Sequence, residues 1–93
     1  MRIILPGVLG ELCDGLSELV VPVGGESVLL RTILDAVVVT RPQLGFRIRD
    51  ENGALRRHVK VFVDGQDVRN LGGLDVLVSP HAVVHILPSI AGG

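Results

Sequence analysis

One helical stripe lies near the middle of the chain, and strand-like patterns flank it on both sides. Four apolar residues follow the i, i+3, i+4, i+7 spacing that puts side chains on one face of a helix: Leu30, Ile33, Leu34 and Val37. Ser27 stands where an N-cap is expected, and Pro42 disfavours helical geometry at the residue before it. The sequence therefore predicts one helix of about three turns that ends before Pro42.

Short apolar runs predict strands before and after this helix. The two runs that precede it are separated by a glycine-containing stretch and are expected to pair as an antiparallel hairpin. After the helix, a run of alternating residues leads into Asp64-Gly65, a strong hairpin-turn signal. In chain order, the predicted strands are residues 2–5, 19–23, 58–63, 66–69 and 82–87.

This order of elements predicts the fold class. A single helix between a first hairpin and later strands gives a small domain its two packed layers. We expect an α+β fold, a β-grasp (ubiquitin-like), with one main helix packed on a mixed sheet of about five strands. The domain is expected to span residues 1–87, with residues 88–93 as a flexible C-terminal tail and the polar stretch 43–57 as a loop.

Composition narrows the classes of function. Of 93 residues, 47% are apolar and 20% charged, so some apolar surface should stay exposed, either as a face for a protein partner or as scattered small side chains. A net charge of −1 and only two aromatic residues argue against a nucleic-acid ligand. No apolar run approaches a membrane span, Pro6 interrupts the start too soon for a signal peptide, and one cysteine forms no internal disulfide. The cytoplasm is the expected compartment.

The C-terminal residues carry the clearest functional signal. Residues without a Cβ let the backbone enter a narrow slot that any side chain would block. Gly93 would then deliver its α-carboxylate to a partner, with Gly92 and Ala91 threading behind it. The alternative is a frayed tail without a function.

Strand alternation also predicts a docking face beside this tail. Val84 and Ile86 are assigned to the core, which leaves Leu87 on the opposite side of the strand. Leu87 and Ile90 become candidate partner contacts, although Leu87 also fits a role as cover for the edge of the sheet. Pro88 would hold the exit of the tail extended and so reduce the entropy lost on threading.

Several motifs in the C-terminal half resemble those of a known family. Residues 59–69 are similar to the central hairpin of the bacterial ubiquitin-like sulfur carriers, the ThiS/MoaD family. Gly72-Gly73-Leu74 is similar to the glycine-rich link that follows, and residues 84–93 to the last strand and tail. Together with Asp67-Val68-Arg69, these motifs look closest to the CysO type. The N-terminal half agrees in layout more than in residues, and Pro80-His81-Ala82 replaces the family's Asp-Gly-Asp-type turn.

The resemblance implies a chemistry at Gly93. An E1-like adenylyltransferase of the MoeB or ThiF type would use ATP to couple the carboxylate to AMP, and sulfide or persulfide would displace AMP to leave a thiocarboxylate. The implied acceptor is a cysteine synthase that carries an activated serine derivative, and a metallopeptidase would release the new cysteine. The chain itself is expected to be a protein co-substrate rather than an enzyme, with no bound cofactor and no metal.

The cysteine and the histidines are not expected to have a chemical role. Cys13 has no Lys, Arg or His nearby in sequence to lower its thiol pKa, and no Cys or carboxylate completes a metal site with the three histidines, His58, His81 and His85. A basic group in the predicted loop is expected to be solvated or to dock against an acidic partner surface: Arg47, Arg49, Arg56 and Arg57. A single lysine, Lys60, would limit self-conjugation by an activated Gly93.

Three other functions use the same features. One is the small, MoaD-like subunit of molybdopterin synthase, which would co-purify with a large subunit. Another is a ubiquitin-like protein modifier, which would form isopeptide bonds to lysines of other proteins. The last is a plain β-grasp binding module with an idle tail.

Overall fold

Seven strands and the helices α1 and α2 form most of the regular structure in the described part of the chain. The structure is a computed structural model and describes residues 1–7, 9, 15, 17–21 and 24–88, with Pro88 described by its backbone. The strands are β1 (Arg2–Ile4), β2 (Glu18–Val20), β3 (Val28–Leu29), β4 (Val59–Val63), β5 (Gln66–Asp67), β6 (Leu77–Val78) and β7 (Val83–Pro88). The helices are α1 (Leu30–Thr40) and α2 (Pro42–Ile48), and two 3₁₀ turns span Val68–Asn70 and Gly73–Asp75.

The main sheet is mixed and has the strand order β2-β1-β7-β4-β5. β1 pairs antiparallel with β2, which confirms the predicted first hairpin, and parallel with the central strand β7. β4 pairs antiparallel with both β7 and β5. A separate two-stranded ribbon joins β3 to β6. The predicted β-grasp with a mixed five-stranded sheet is therefore confirmed, and β7 lies at its centre.

The core lies between one face of this sheet and the helices. The four stripe residues of α1 are all buried, which confirms the predicted apolar face. From the sheet, Val61, Val84 and Ile86 have no exposed surface, and Val61 lies opposite Ile86 in the β4–β7 register. The assignment of Val84 and Ile86 to the core is confirmed.

The start of α1 differs from the prediction. Leu29, not Ser27, is the N-cap residue, and no side chain caps the helix. A helix leaves its first backbone N–H groups without intrahelical partners. Here the Leu30 N–H donates to the carbonyl of Val76, the residue immediately before β6, at 2.9 Å. A backbone group from a distant part of the chain does what a local serine was expected to do.

The predicted loop 43–57 is wrong in its first part, because α2 occupies Pro42–Ile48. Pro42 ends α1 and also takes the first position of α2, where its missing N–H costs no hydrogen bond. Leu44 and Ile48, four residues apart, bury the inner face of α2. Gly45 faces α1, where an added Cβ would collide with the Cγ2 methyl of Val38. The two helices therefore pack closely because residue 45 has no side chain.

Hydrogen bonds hold the two turns that lie beside the start of β7. Asp64 adopts φ 49° and Gly65 φ 87° in the predicted hairpin turn. The Asp64 N–H donates to the Val83 carbonyl at 2.9 Å, and the Asp64 carboxylate accepts from the Val83 N–H at 3.0 Å. At the other turn, the Ser79 hydroxyl accepts from the His81 N–H at 3.2 Å. A turn thus persists at Pro80-His81, with a serine hydroxyl and a distant carboxylate as acceptors.

Candidate functional site

The base of the predicted tail lies at the end of the central strand. β7 is paired on both sides, by β1 as far as His85 and by β4 through to Pro88. The strand therefore ends one residue later than the predicted 82–87 segment. Of the predicted site residues, Leu87 and the backbone of Pro88 are described; Ile90, Ala91, Gly92 and Gly93 lie outside the described residues.

Pro88 occupies a position at which its missing N–H costs no bond to β4. The Asp64 N–H donates to the Val83 carbonyl, and hydrogen-bonded pairs alternate along an antiparallel ladder. Counting along the register, the Lys60–Leu87 pair is of the hydrogen-bonded kind and the Val59–Pro88 pair is not. The paired strand can therefore extend through Pro88.

An arginine holds the other side of this exit. Arg69 donates from Nη1 to the Val59 carbonyl at 2.6 Å and from Nη2 to the Arg56 carbonyl at 2.9 Å. Its own backbone N–H donates to the carboxylate of Asp67 at 2.9 Å, which caps the first 3₁₀ turn. One guanidinium therefore fixes the segment that begins β4, directly opposite Pro88. The sequence contained a signal for this role, since Asp67-Val68-Arg69 was among the motifs that carried the resemblance, but the contacts themselves could not be read from it.

The face of the sheet turned away from the helices is a mixture of apolar and charged side chains. Leu87 is 38% exposed, whereas its neighbour Ile86 is fully buried. Leu87 lies opposite Lys60, and His85 lies opposite Phe62, so these four side chains share the open face. Leu87 thus presents an apolar side chain on the open face near the end of β7, and its contact with a partner stays a prediction.

The predicted basic group does not form one solvated patch. Arg49 is only 8% exposed, and its guanidinium binds the carboxylate of Asp35 on α1 at 2.8 Å. Arg56 is half-buried, and its Nε donates to the Phe46 carbonyl at 2.6 Å. Arg47 and Arg57 are exposed. Arg49 is thus a structural residue that ties α1 to the end of α2, and only part of the group is available to a partner.

The cysteine and the histidines were the remaining candidates. Cys13 lies outside the described residues. His58, His81 and His85 are exposed, on a turn before β4, a turn before β7 and the open face of the sheet. Within the described part of the chain, no three His, Cys, Asp or Glu residues are grouped so that they could hold a metal ion.

The mixed sheet, the helix across it and the exit of the central strand define a β-grasp protein of the ubiquitin-like class. No family model matches the sequence. Over 41 residues the chain is 44% identical to the sulfur carrier protein CysO of Mycobacterium bovis and of Mycobacterium tuberculosis. That match spans 44% of this chain and 44% of the length of those curated relatives.

Solved structures match the fold over nearly the whole chain. A chain of the Amycolatopsis orientalis BexX/CysO complex is 28% identical, with a TM-score of 0.81 over 99% of this chain and 98% of that one. SAMP1, a small archaeal modifier protein from Haloferax volcanii, is 26% identical, with a TM-score of 0.81 over 100% of this chain and 98% of that one. The predicted resemblance to the ubiquitin-like sulfur carriers is confirmed. The similar proteins named here include a sulfur carrier and a small archaeal modifier protein.

Among the described residues, no helix has the length and apolarity needed to cross a membrane.

Proposed function

We propose that this protein is a sulfur carrier whose Gly93 is adenylylated by an E1-like enzyme and converted to a thiocarboxylate that donates sulfur for cysteine biosynthesis. The observation that carries the proposal is the similarity to CysO, at 44% identity over 41 residues, together with a fold that matches one chain of a BexX/CysO complex over 99% of this chain. The carrier acts as a co-substrate of its partners, in the cytoplasm, with no bound cofactor or metal of its own.

The chemistry requires activation because a carboxylate is a poor electrophile. The Gly93 carboxylate attacks the α-phosphorus of ATP, which forms the acyl adenylate and releases pyrophosphate. Hydrosulfide then attacks the acyl carbon, the bond to AMP breaks, and the thiocarboxylate forms with loss of one proton. Neither step changes an oxidation state, so no oxidant or reductant is needed.

The described residues support the role of a handle that presents the tail. β7 is the central strand, paired with β1 as far as His85 and with β4 as far as Pro88, and Arg69 braces the segment opposite Pro88. A fixed base reduces the conformational entropy lost when the tail enters a partner. In this proposal Gly92 and Ala91 thread into the partner, and Leu87, Pro88 and Ile90 contact its surface.

The proposed partners follow from the chemistry of the product. A thiocarboxylate is a nucleophile, so its acceptor must offer a displaceable group. An activated serine derivative held by a cysteine synthase has such a group at its β-carbon. Displacement of that group joins the cysteine to Gly93 through a thioester, and attack of the cysteine α-amine on the acyl carbon then breaks the C–S bond and forms a peptide bond. A metallopeptidase would hydrolyse this peptide bond with water, which releases the cysteine and restores the Gly93 carboxylate for another cycle.

A protein modifier is the second candidate, and the similarity to SAMP1 favours it. The same acyl adenylate would then pass Gly93 to the ε-amine of a lysine on another protein. Digests of cell extract would contain Gly93 joined to foreign lysines. The sulfur carrier leaves no such linkage.

The intact mass of the protein tests the proposal directly. The chain is incubated with ATP, a sulfide source and an E1-like enzyme from the same cell. We expect a gain equal to the exchange of one oxygen for one sulfur, and no gain in a variant that lacks Gly93. An unchanged mass with an enzyme that is active on another carrier would refute the sulfur-carrier proposal.

A further inference from the structure

A basin lies beside the exit of β7, between α2 and the segment that leads into β4. It has a volume of about 540 Å³ and is open to solvent. Its lining is formed by five residues: Gln43, Phe46, Arg47, Arg56 and His58. We refer to these five residues as the basic basin, because two of them are arginines and none is a carboxylate.

The cations of the basic basin are not neutralised by the described part of the chain. Arg47 is exposed in the last turn of α2, and no carboxylate of the described residues pairs with it. The Nε–H of Arg56 donates a hydrogen bond to the backbone carbonyl of Phe46, which is a neutral acceptor. By contrast, Arg2, Arg31 and Arg49 each pair with an acidic side chain. The basin is therefore a local excess of positive charge on a chain whose net charge is −1.

Arg56 is fixed in place by its neighbours. Its N–H donates to the Ile48 carbonyl at 3.0 Å, and its own carbonyl accepts from the Val59 N–H at 3.0 Å. The same carbonyl accepts from Arg69 Nη2 at 2.9 Å. A cation held in this way loses little conformational entropy when it binds an anion, and its terminal nitrogens remain available for a carboxylate.

Phe46 adds an apolar surface to the basic basin. Phe46 is 61% exposed. It is one of only two aromatic residues in the sequence. Aromatic residues and arginine are the types enriched where proteins bind each other. An exposed ring that lines the same basin as two arginines suits a segment that carries both carboxylates and an apolar side chain.

The basic basin adjoins the exit of the tail. His58 immediately precedes Val59, which lies opposite Pro88 in the sheet. Directly opposite residues in a sheet are about 5 Å apart, so a protein that receives the tail at Pro88 also reaches the basin. The basin and the tail can therefore be bound by one partner at the same time.

We propose that the basic basin docks an acidic surface segment of the activating enzyme, with carboxylates against Arg47 and Arg56 and an apolar side chain against Phe46. This inference rests on the proposed function. The activating enzyme is the occupant because every proposed role of Gly93 begins with its adenylylation, whichever acceptor follows. Complementary charge raises the rate of encounter and fixes the orientation in which the tail is presented.

Binding of the full-length chain to the activating enzyme tests this inference by calorimetry. Arg47→Glu should weaken binding about tenfold at ~0.1 M salt, and the difference should shrink at ~1 M salt, where the Debye length falls to about 3 Å. Phe46→Ala should weaken binding severalfold at both salt concentrations. Arg31→Glu is the matched control, with the same change of charge on an exposed arginine that does not line the basin; its effect should stay below about twofold.

Two kinds of result would overturn the inference. One is equal binding by Arg47→Glu and the unchanged chain, or equal weakening by Arg47→Glu and Arg31→Glu. The other is no measurable binding of the unchanged chain.

The mass assay reports on the proposed function separately. Salt-dependent loss of binding in Arg47→Glu supports the docking site even if no thiocarboxylate forms, and thiocarboxylate formation with no effect of Arg47→Glu supports only the proposed function. A thermal melt of each variant confirms that it is folded.

Discussion

Arg69 Nη1 donates a 2.6 Å hydrogen bond to the backbone carbonyl of Val59, the residue that lies opposite Pro88. With the second bond, from Nη2 to the Arg56 carbonyl, one side chain secures the start of β4. The end of β7 is therefore braced by a residue that is far from it in sequence.

Replacement of Arg69 by alanine should destabilise the fold by about 1–3 kcal/mol, since two backbone carbonyls lose a charged donor. Urea unfolding measures this change. Arg31→Ala removes an exposed pair with Asp75 and should cost less than about 1 kcal/mol. Equal losses in the two variants would show that the bonds to Val59 and Arg56 add nothing. Amide exchange at Val59 should also accelerate in Arg69→Ala.

Gly45→Ala should destabilise the protein by about 1–3 kcal/mol, because the new methyl group collides with Val38 at the crossing of α1 and α2. The double variant Gly45→Ala/Val38→Ala should recover part of this loss, as the colliding Cγ2 is removed. Gly25→Ala is the control, since an added Cβ there meets nothing within 4 Å. Unfolding midpoints of the four proteins check the prediction, and it fails if Gly45→Ala and Gly25→Ala are equally stable.

Ile86 and Leu87 are adjacent but should respond to truncation in opposite ways. Ile86→Ala should cost about 2–5 kcal/mol of stability because the side chain is fully buried. Leu87→Ala should change stability by less than about 1 kcal/mol and instead slow thiocarboxylate formation, if Leu87 contacts a partner. Unfolding curves and the mass assay are measured on both. If Leu87→Ala forms the thiocarboxylate at the normal rate, the proposed partner contact of Leu87 is refuted.

Gly92→Val should abolish adenylylation of Gly93 and leave the unfolding curve unchanged, because a branched side chain blocks a narrow slot. Release of pyrophosphate from ATP is the measurement. Gly24→Val places the same side chain where nothing lies within 4 Å of an added Cβ, and should be adenylylated normally. Normal adenylylation of Gly92→Val would exclude the threading mechanism.

Much of the fold could be predicted from the sequence because side-chain direction depends on local periodicity. The α1 stripe, the assignment of Val84 and Ile86 to the core and the Asp64-Gly65 turn all follow from residues within a few positions of one another. The sequence pattern did not predict α2, because a proline such as Pro42 is equally typical of the end of one helix and of the first position of the next.

The sequence by itself determined the order of the main helix and the strands of the main sheet, the buried faces of α1 and β7, and the residue types at Gly92 and Gly93, on which the proposed chemistry rests. Only the tertiary structure decided what surrounds the exit of the tail. The Val76 carbonyl accepts from the first N–H of α1, the Asp35 carboxylate pairs with Arg49, and Arg69 donates to the Val59 carbonyl at the start of β4. Each of these bonds joins groups on separate elements, and local periodicity contains no information about which distant donor meets which acceptor. The basic basin has the same origin, since packing brings α2 and the segment before β4 together.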